Sequence, residues 1–224
     1  MTIEPKRSSP RARTLALLGL SGAVILPLAI AFSGKPMAPG EGVASLLERE
    51  GLWWLCGAAV LLWLCLVERL PMSSIGLRRP TWKTFVFAIL AGAALVLVMA
   101  IHFGVLVPAL HLDASQAGAK RAIILRTPLW FRVLLVARAA VVEEILFRGY
   151  MIEKVRQLGG GAAPAVALSV AAFTFAHFAG WGLVQLIPVF ASALILALLY
   201  VWRRDLPSNM IAHFLTDGAG FLIG

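Results

Sequence analysis

The sequence predicts an all-α protein, a polytopic transmembrane helical bundle of about seven spans, and three observations predict it. Of its 224 residues 60% are hydrophobic and only 14% are charged, more apolar surface than a water-soluble globule of this size can bury. The mean hydropathy is +0.88. The apolar residues also fall into runs close to the ~20 residues that cross a bilayer as a helix, separated by short polar segments.

Residues 1–14 form a basic polar tail, expected in the cytoplasm, and 15–224 a single transmembrane domain. The first run, Leu15 to Phe32, starts from basic residues and contains Ala29-Ile30-Ala31, as a cleavable signal would. It exceeds the about 7 to 15 residue core of such signals, so an uncleaved anchor is expected. A Gly/Pro loop carrying Glu41, Glu48 and Glu50 leads to a second run, Leu52 to Val67. Phe85 to Val107, closed by Pro108, is the third and contains His102. Residues 109–129 read as a polar connection. Trp130 to Ile152 is the fourth span, ended by Gly159-Gly160-Gly161. Ala165 to Ala179 and Leu183 to Trp202 follow, parted by Gly180-Trp181-Gly182, and Pro207 to Ile223 is the last.

Alternating the loops between two sides tests this order, because short cytoplasmic loops hold the excess of Lys and Arg. With the N-terminus inside, twelve of the 20 basic residues fall on the inner side and five, Lys35, Arg49, Lys120, Arg121 and Arg126, on the outer; Arg132, Arg138 and Arg148 lie in the fourth span. The net charge of +9 is therefore a property of membrane flanks and does not call for a nucleic-acid partner. The partners implied are the lipid bilayer and a peptide or membrane-protein substrate. Cys56 and Cys65 share one apolar run and read as small apolar residues, with no disulfide framework or metal knuckle. Short loops and an Ala-, Gly-, Leu- and Arg-rich composition point to a bacterial inner (plasma) membrane.

Chemistry concentrates in the fourth span, where Glu143, Glu144 and Arg148 interrupt an apolar run. A charge at mid-membrane costs about 2.5 to 3.5 kcal/mol on insertion scales, so each needs a partner, water or a function. Glu144 and Arg148 are four apart and share a helical face, which predicts a supporting ion pair. Glu143 points about 100° away and has no opposite charge three or four positions off, which leaves it available. Phe173 and His177 are again four apart, as are His213 and Asp217. A glutamate and two histidines converging from three helices is hydrolase chemistry: Glu143 as general base on a water, the histidines binding a metal or holding the water and the oxyanion. His102 has no such partner and reads as packing or cavity lining; Arg138 reads as pairing with a headgroup or a loop carboxylate. His111 reads as solvated.

Three motifs in order, EExxxR at Glu143, Glu144 and Arg148, FxxxH at Phe173 and His177, and HxxxD at His213 and Asp217, resemble the CPBP family of intramembrane proteases, which includes type II CAAX prenyl endopeptidases and bacterial Abi proteins. The likeness covers about residues 130–220. It implies that Glu143 activates water, that His177 assists, that His213 with Asp217 steadies an oxyanion or a metal, and that Glu144, Arg148 and Phe173 support them. The family most often has asparagine where this chain has Asp217. An ionised aspartate cannot donate to an oxyanion, but it suits zinc or can orient a histidine. Zinc held by His177, His213 and Glu143 and a metal-free glutamate mechanism both remain open.

The expected activity is that of an endopeptidase with its cavity among spans four to seven. A covalent nucleophile is not expected: the cysteines lack a nearby histidine and there is no Gly-x-Ser-x-Gly turn. The competing class is a non-proteolytic scaffold or bacteriocin-immunity protein regulating a membrane partner, and a third is a small transporter, for which no inverted repeat is seen. Counting about 1.5 Å per residue from the inner ends places Glu143 roughly 14 Å deep, His213 roughly 9 Å and His177 roughly 18 Å. A shared site therefore requires a tilted or deeper fifth span. A cavity opening to the cytoplasm or inner leaflet is expected.

Overall fold

A computed structural model of the chain describes residues 9–33 and 41–223, and these are helical, with no strand among them. The basic residues Lys6, Arg7 and Lys35 lie outside the described residues. Helix α1 (Pro10–Ser33) begins five positions before the apolar run, where the Ser9 hydroxyl caps the Ala12 amide at 3.3 Å. Helix α2 (Val43–Val67) starts nine residues earlier than the run Leu52 to Val67, so Glu48 and Glu50, expected in a loop, are helical. Helix α3 (Trp82–Ala109) opens with a capping box in which Thr84 Oγ1 accepts from the Thr81 amide at 2.9 Å.

The expected connection at 109–129 contains a helix, α4 (Ser115–Leu125), which period-based reading missed because it is short and nearly as polar as a loop. Helix α5 (Leu129–Arg138) passes without a break into a π-helical segment, Ala139–Ile152, and ends as one α-turn, Glu153–Gln157. Helices α6 (Ala162–Trp181) and α7 (Leu183–Arg203) meet at Gly182, whose φ of +77° is a left-handed conformation that favours glycine. Helix α8 (Leu206–Phe221) completes the chain. Five helices, α1, α2, α3, α6 and α7, are long and apolar enough to cross a membrane by length and composition. The other two expected spans are the charged α5 with its π segment, and the 16-residue α8.

The architecture is a polytopic bundle wrapped round the π segment, which packs against α1, α2, α6, α7 and α8. From Leu146 to Ile152 the segment is buried, and it forms the centre of the main apolar core with Leu64 of α2, Phe173 of α6 and Ala193 and Ala197 of α7. Gly149 permits this: a Cβ there would sit 3.0 Å from the backbone oxygen of Ile75, so only glycine brings the segment against that turn without displacement. Partly buried carboxylates tie the segment's end to its neighbours, Glu68 to Lys154 at 2.6 Å and Tyr150 at 3.0 Å, and Glu153 to Tyr200 at 3.1 Å and Arg204 at 2.7 Å. Helix α3 is peripheral, packed on α8 and α7, and turns Ile89, Leu90 and Leu97 outward, as α1 does with Leu17, Leu18 and Ile25. Large exposed apolar side chains on helices around a buried core are what a lipid-facing surface requires.

Candidate active site

The π segment sets the geometry of the site. Its i→i+5 backbone bonding widens each turn, so residues five apart approach one another as residues four apart do in an α-helix. Arg138 and Glu143 are five apart, and Arg138 Nη1 donates to Glu143 Oε1 at 2.6 Å. Glu143 thus has an ion partner within its own helix, contrary to the expectation drawn from α-helical spacing. The same guanidinium forks onto Glu50 of α2, with Nε to Oε2 at 2.7 Å and Nη2 to Oε1 at 3.3 Å. The carboxylate expected for Arg138 is therefore the supposed loop residue Glu50, presented by a helix. The second oxygen of Glu143, Oε2, is buried, has no hydrogen-bond partner among the described residues, and lies 4.0 Å from His177 Nε2.

The expected pair of Glu144 and Arg148 is present at 2.9 Å, both side chains wholly buried. Glu144 does more than balance charge: its Oε1 also accepts from His213 Nδ1 at 2.9 Å, and its Oε2 accepts from Asn209 Nδ2 at 3.3 Å. A carboxylate can take this many donors because each oxygen accepts twice. Asn209 also donates to the Leu196 carbonyl at 2.7 Å, locking α8 to α7. Asn209, His213 and Asp217 are spaced by four, so the role of Asn209 was legible as a third member of one α8 face. His213 Nε2 faces Asp217 Oδ2 at 3.5 Å.

On α6, His177 Nδ1 lies 2.8 Å from the Phe173 carbonyl oxygen, an i, i+4 contact that aims Nε2 at Glu143. Phe173 is a wedge between the two histidines, its ring 4.5 Å from that of His177 and 6.2 Å from that of His213, with the Arg148 guanidinium stacked on it at 4.1 Å. All the expected site residues, Glu143, Glu144, Arg148, Phe173, His177, His213 and Asp217, thus belong to one contiguous cluster. His102 is buried but does not join it, and its two ring nitrogens have no partner among the described residues.

A cavity of about 630 Å³ reaches Phe173, His177, His213 and Asp217. Its walls come from α6, α7 and α8 together with α3 and the unexpected α4, while α5 and its π segment stand behind the histidines. Apolar residues such as Leu95, Met99 and Val189 dominate it, with Gln185 and Ser192 of α7 and Arg121 of α4 as polar points. Wall residues Phe103, Trp181, Gln185 and Phe221 sit at the helix ends nearest α4, the end opposite the start of α1. With a cytoplasmic N-terminus, the cavity therefore extends toward the outer end of the bundle, away from the expected cytoplasmic opening.

Lys120 of α4, a helix too short to span, lies at this end with its ammonium 4.3 Å over the Trp181 ring. Burial pushes its pKa down to about 8, the Arg138 and Arg49 charges add to the shift, and Glu143 and Glu50 oppose it.

Zinc at His177, His213 and Glu143 does not fit this arrangement. Nδ1 of His213 is held by Glu144, its Nε2 faces Asp217, and among the described residues no group of three or more His, Cys, Asp and Glu is placed to hold a metal ion.

Residues 125–219 match the family model described as type II CAAX prenyl endopeptidase Rce1-like. Over this segment the chain is similar to that family. No curated protein and no solved structure gives a match. The Rce1-like segment contains every motif residue from Glu143 to Asp217, and it leaves Glu50 and Lys120 outside. This similarity and the five long apolar helices make the chain an integral membrane protein.

Proposed function

We propose that the chain is an intramembrane endopeptidase that hydrolyses a peptide bond of a membrane-associated protein or peptide with a water activated by Glu143. The observation that supports this best is the divided carboxylate of Glu143, with Oε1 held by Arg138 and Oε2 buried, unpartnered among the described residues and 4.0 Å from His177 Nε2. That separation is too long for a direct hydrogen bond and suits one water touching both atoms.

The Phe173 carbonyl only accepts, so His177 carries its proton on Nδ1 and the neutral ring accepts at Nε2. A water donating one hydrogen to Nε2 and the other to Glu143 Oε2 keeps a lone pair for the scissile carbonyl. Glu143 takes the proton as the carbon–oxygen bond forms and returns it to the leaving amine as the carbon–nitrogen bond breaks. His213, anchored at Nδ1 by Glu144, presents Nε2 to the cavity. When protonated there it faces Asp217 Oδ2 at 3.5 Å before the reaction and turns that hydrogen to the oxyanion as it develops. The apolar walls favour apolar substrate residues beside the cut. The distribution of Lys and Arg supports an N-terminus in the cytoplasm, and the short loops and Ala-, Gly-, Leu- and Arg-rich composition a bacterial plasma membrane.

The test uses purified protein in detergent with a quenched-fluorescence farnesylated CAAX peptide and its unprenylated twin. Glu143→Gln is expected to lower kcat by about 10²- to 10⁴-fold, the usual contribution of a general base, with the melting temperature kept because Arg138 retains Glu50. Near wild-type kcat in that variant removes Glu143 as the base. Cleavage unchanged by a chelator supports the direct glutamate route; activity lost to the chelator and restored by zinc establishes a metal route.

A further inference from the structure

Glu50 and Arg138 lie outside the three motifs, yet both are buried beside the proposed base, and α2 also places Trp53, three positions after Glu50, against the Arg138 guanidinium at 5.2 Å. We propose that Arg138 is the positioning residue of Glu143 and that Glu50, supplied by a helix outside the Rce1-like segment, anchors it. This inference rests on the reading of Glu143 as the base.

A buried ion cluster can exist merely because charges in a membrane must pair. The charge count argues for more than that. Glu144 and Arg148 pair one to one, whereas Glu50 and Glu143 share a single guanidinium, which leaves one negative charge in excess. Lys120, whose charge Glu143 and Glu50 also feel, makes its own contact over Trp181. All three guanidinium nitrogens of Arg138 are used, Nε and Nη2 on Glu50 and Nη1 on Glu143. This fixes the guanidinium plane, which in turn fixes Oε1 of Glu143, and the free oxygen is left facing His177. A single-point cation such as lysine cannot hold both carboxylates in that orientation. The base therefore keeps its rotamer and its negative charge together.

The experiment measures kcat and KM on the farnesylated peptide, with melting temperature, for Arg138→Lys and Glu50→Gln, each alone and combined with Glu143→Gln. A misplacement of the base by about 1 Å costs on the order of 10²-fold, so both single variants are expected to lose about 10- to 100-fold in kcat with KM little changed. Neither is expected to lower the residual rate of Glu143→Gln further, because a positioning residue has nothing left to position. Should Glu50→Gln fail to fold, Glu50→Asp keeps the charge, shortens the reach and reads the same split. Unchanged kcat, losses confined to KM or melting temperature, or losses that multiply with that of Glu143→Gln would each overturn the positioning role. Full activity in Glu143→Gln alone would instead overturn the base, a separate and distinguishable result.

Discussion

Arg138 precedes Glu143 by five residues and holds its Oε1 at 2.6 Å, while Arg148 follows Glu144 by four and holds its Oε1 at 2.9 Å. Two adjacent carboxylates are thus drawn in opposite directions along one segment. Glu144 goes to a network in which both its oxygens are taken, by Arg148, His213 and Asn209, and Glu143 to one in which Oε2 has no hydrogen-bond partner among the described residues. The division of labour between the two residues is carried by the π turn, which admits the five-residue pair that an α-helix would hold apart.

Glu144→Ala is expected to damage both fold and site. Arg148, with no exposed surface, loses its carboxylate, and breaking a buried pair in this way costs about 3 to 5 kcal/mol. His213 loses its Nδ1 anchor at the same time. Expression yield and melting temperature in detergent should both fall, in contrast to Glu143→Gln; a variant with wild-type melting temperature would show that Arg148 finds another partner.

Asp217→Asn should keep kcat within about tenfold of wild type and leave metal content unchanged, since the amide preserves size, can still face His213 Nε2 and can donate to an oxyanion, but is a poor zinc ligand. Elemental analysis of the variant beside its rate checks this. A parallel loss of activity and of a stoichiometric metal would assign the carboxylate to a metal instead.

Lys120 provides a pH signature. Its pKa is lowered from 10.5 to about 8 in the folded protein, so between those values the unfolded chain binds the proton and the folded one does not. Stability contributed by this group therefore rises with pH across that window. Thermal melting from pH 7.5 to 10.5 should show the rise in the wild type and lose it in Lys120→Met. An identical profile in both would place the lysine in a more solvated setting.

The sidedness of the cavity is open to direct labelling. The twelve-to-five distribution of Lys and Arg predicts that the α4 end of the bundle faces outward. In intact cells, Gly118→Cys in the cavity wall of an otherwise cysteine-free chain (Cys56→Ala, Cys65→Ala) should react with a membrane-impermeant maleimide added outside. Protection until the membrane is permeabilised would reverse the orientation and restore a cytoplasmic opening.

The sequence by itself determined whatever repeats along one helix. Composition requires a membrane bundle. Spacing of four predicts Glu144 with Arg148, Phe173 with His177, and His213 with Asp217, because within one helix the chain's own period decides which side chains share a face, and the first pair survives inside the π segment. The tertiary structure alone decided how those faces meet. Glu50 reaches Arg138 across 88 positions and Glu144 reaches His213 across 69, contacts set by helix tilt and rotation in the packed bundle, which leave no periodic mark in the sequence. It also decided the convergence of His177 on Glu143, which a count of depths along upright helices left several ångströms short. The π segment and α4 escaped for a related reason: one departs from the 3.6-residue period on which such reading depends, and the other is an 11-residue helix fixed by its place over the cavity more than by its own apolar pattern.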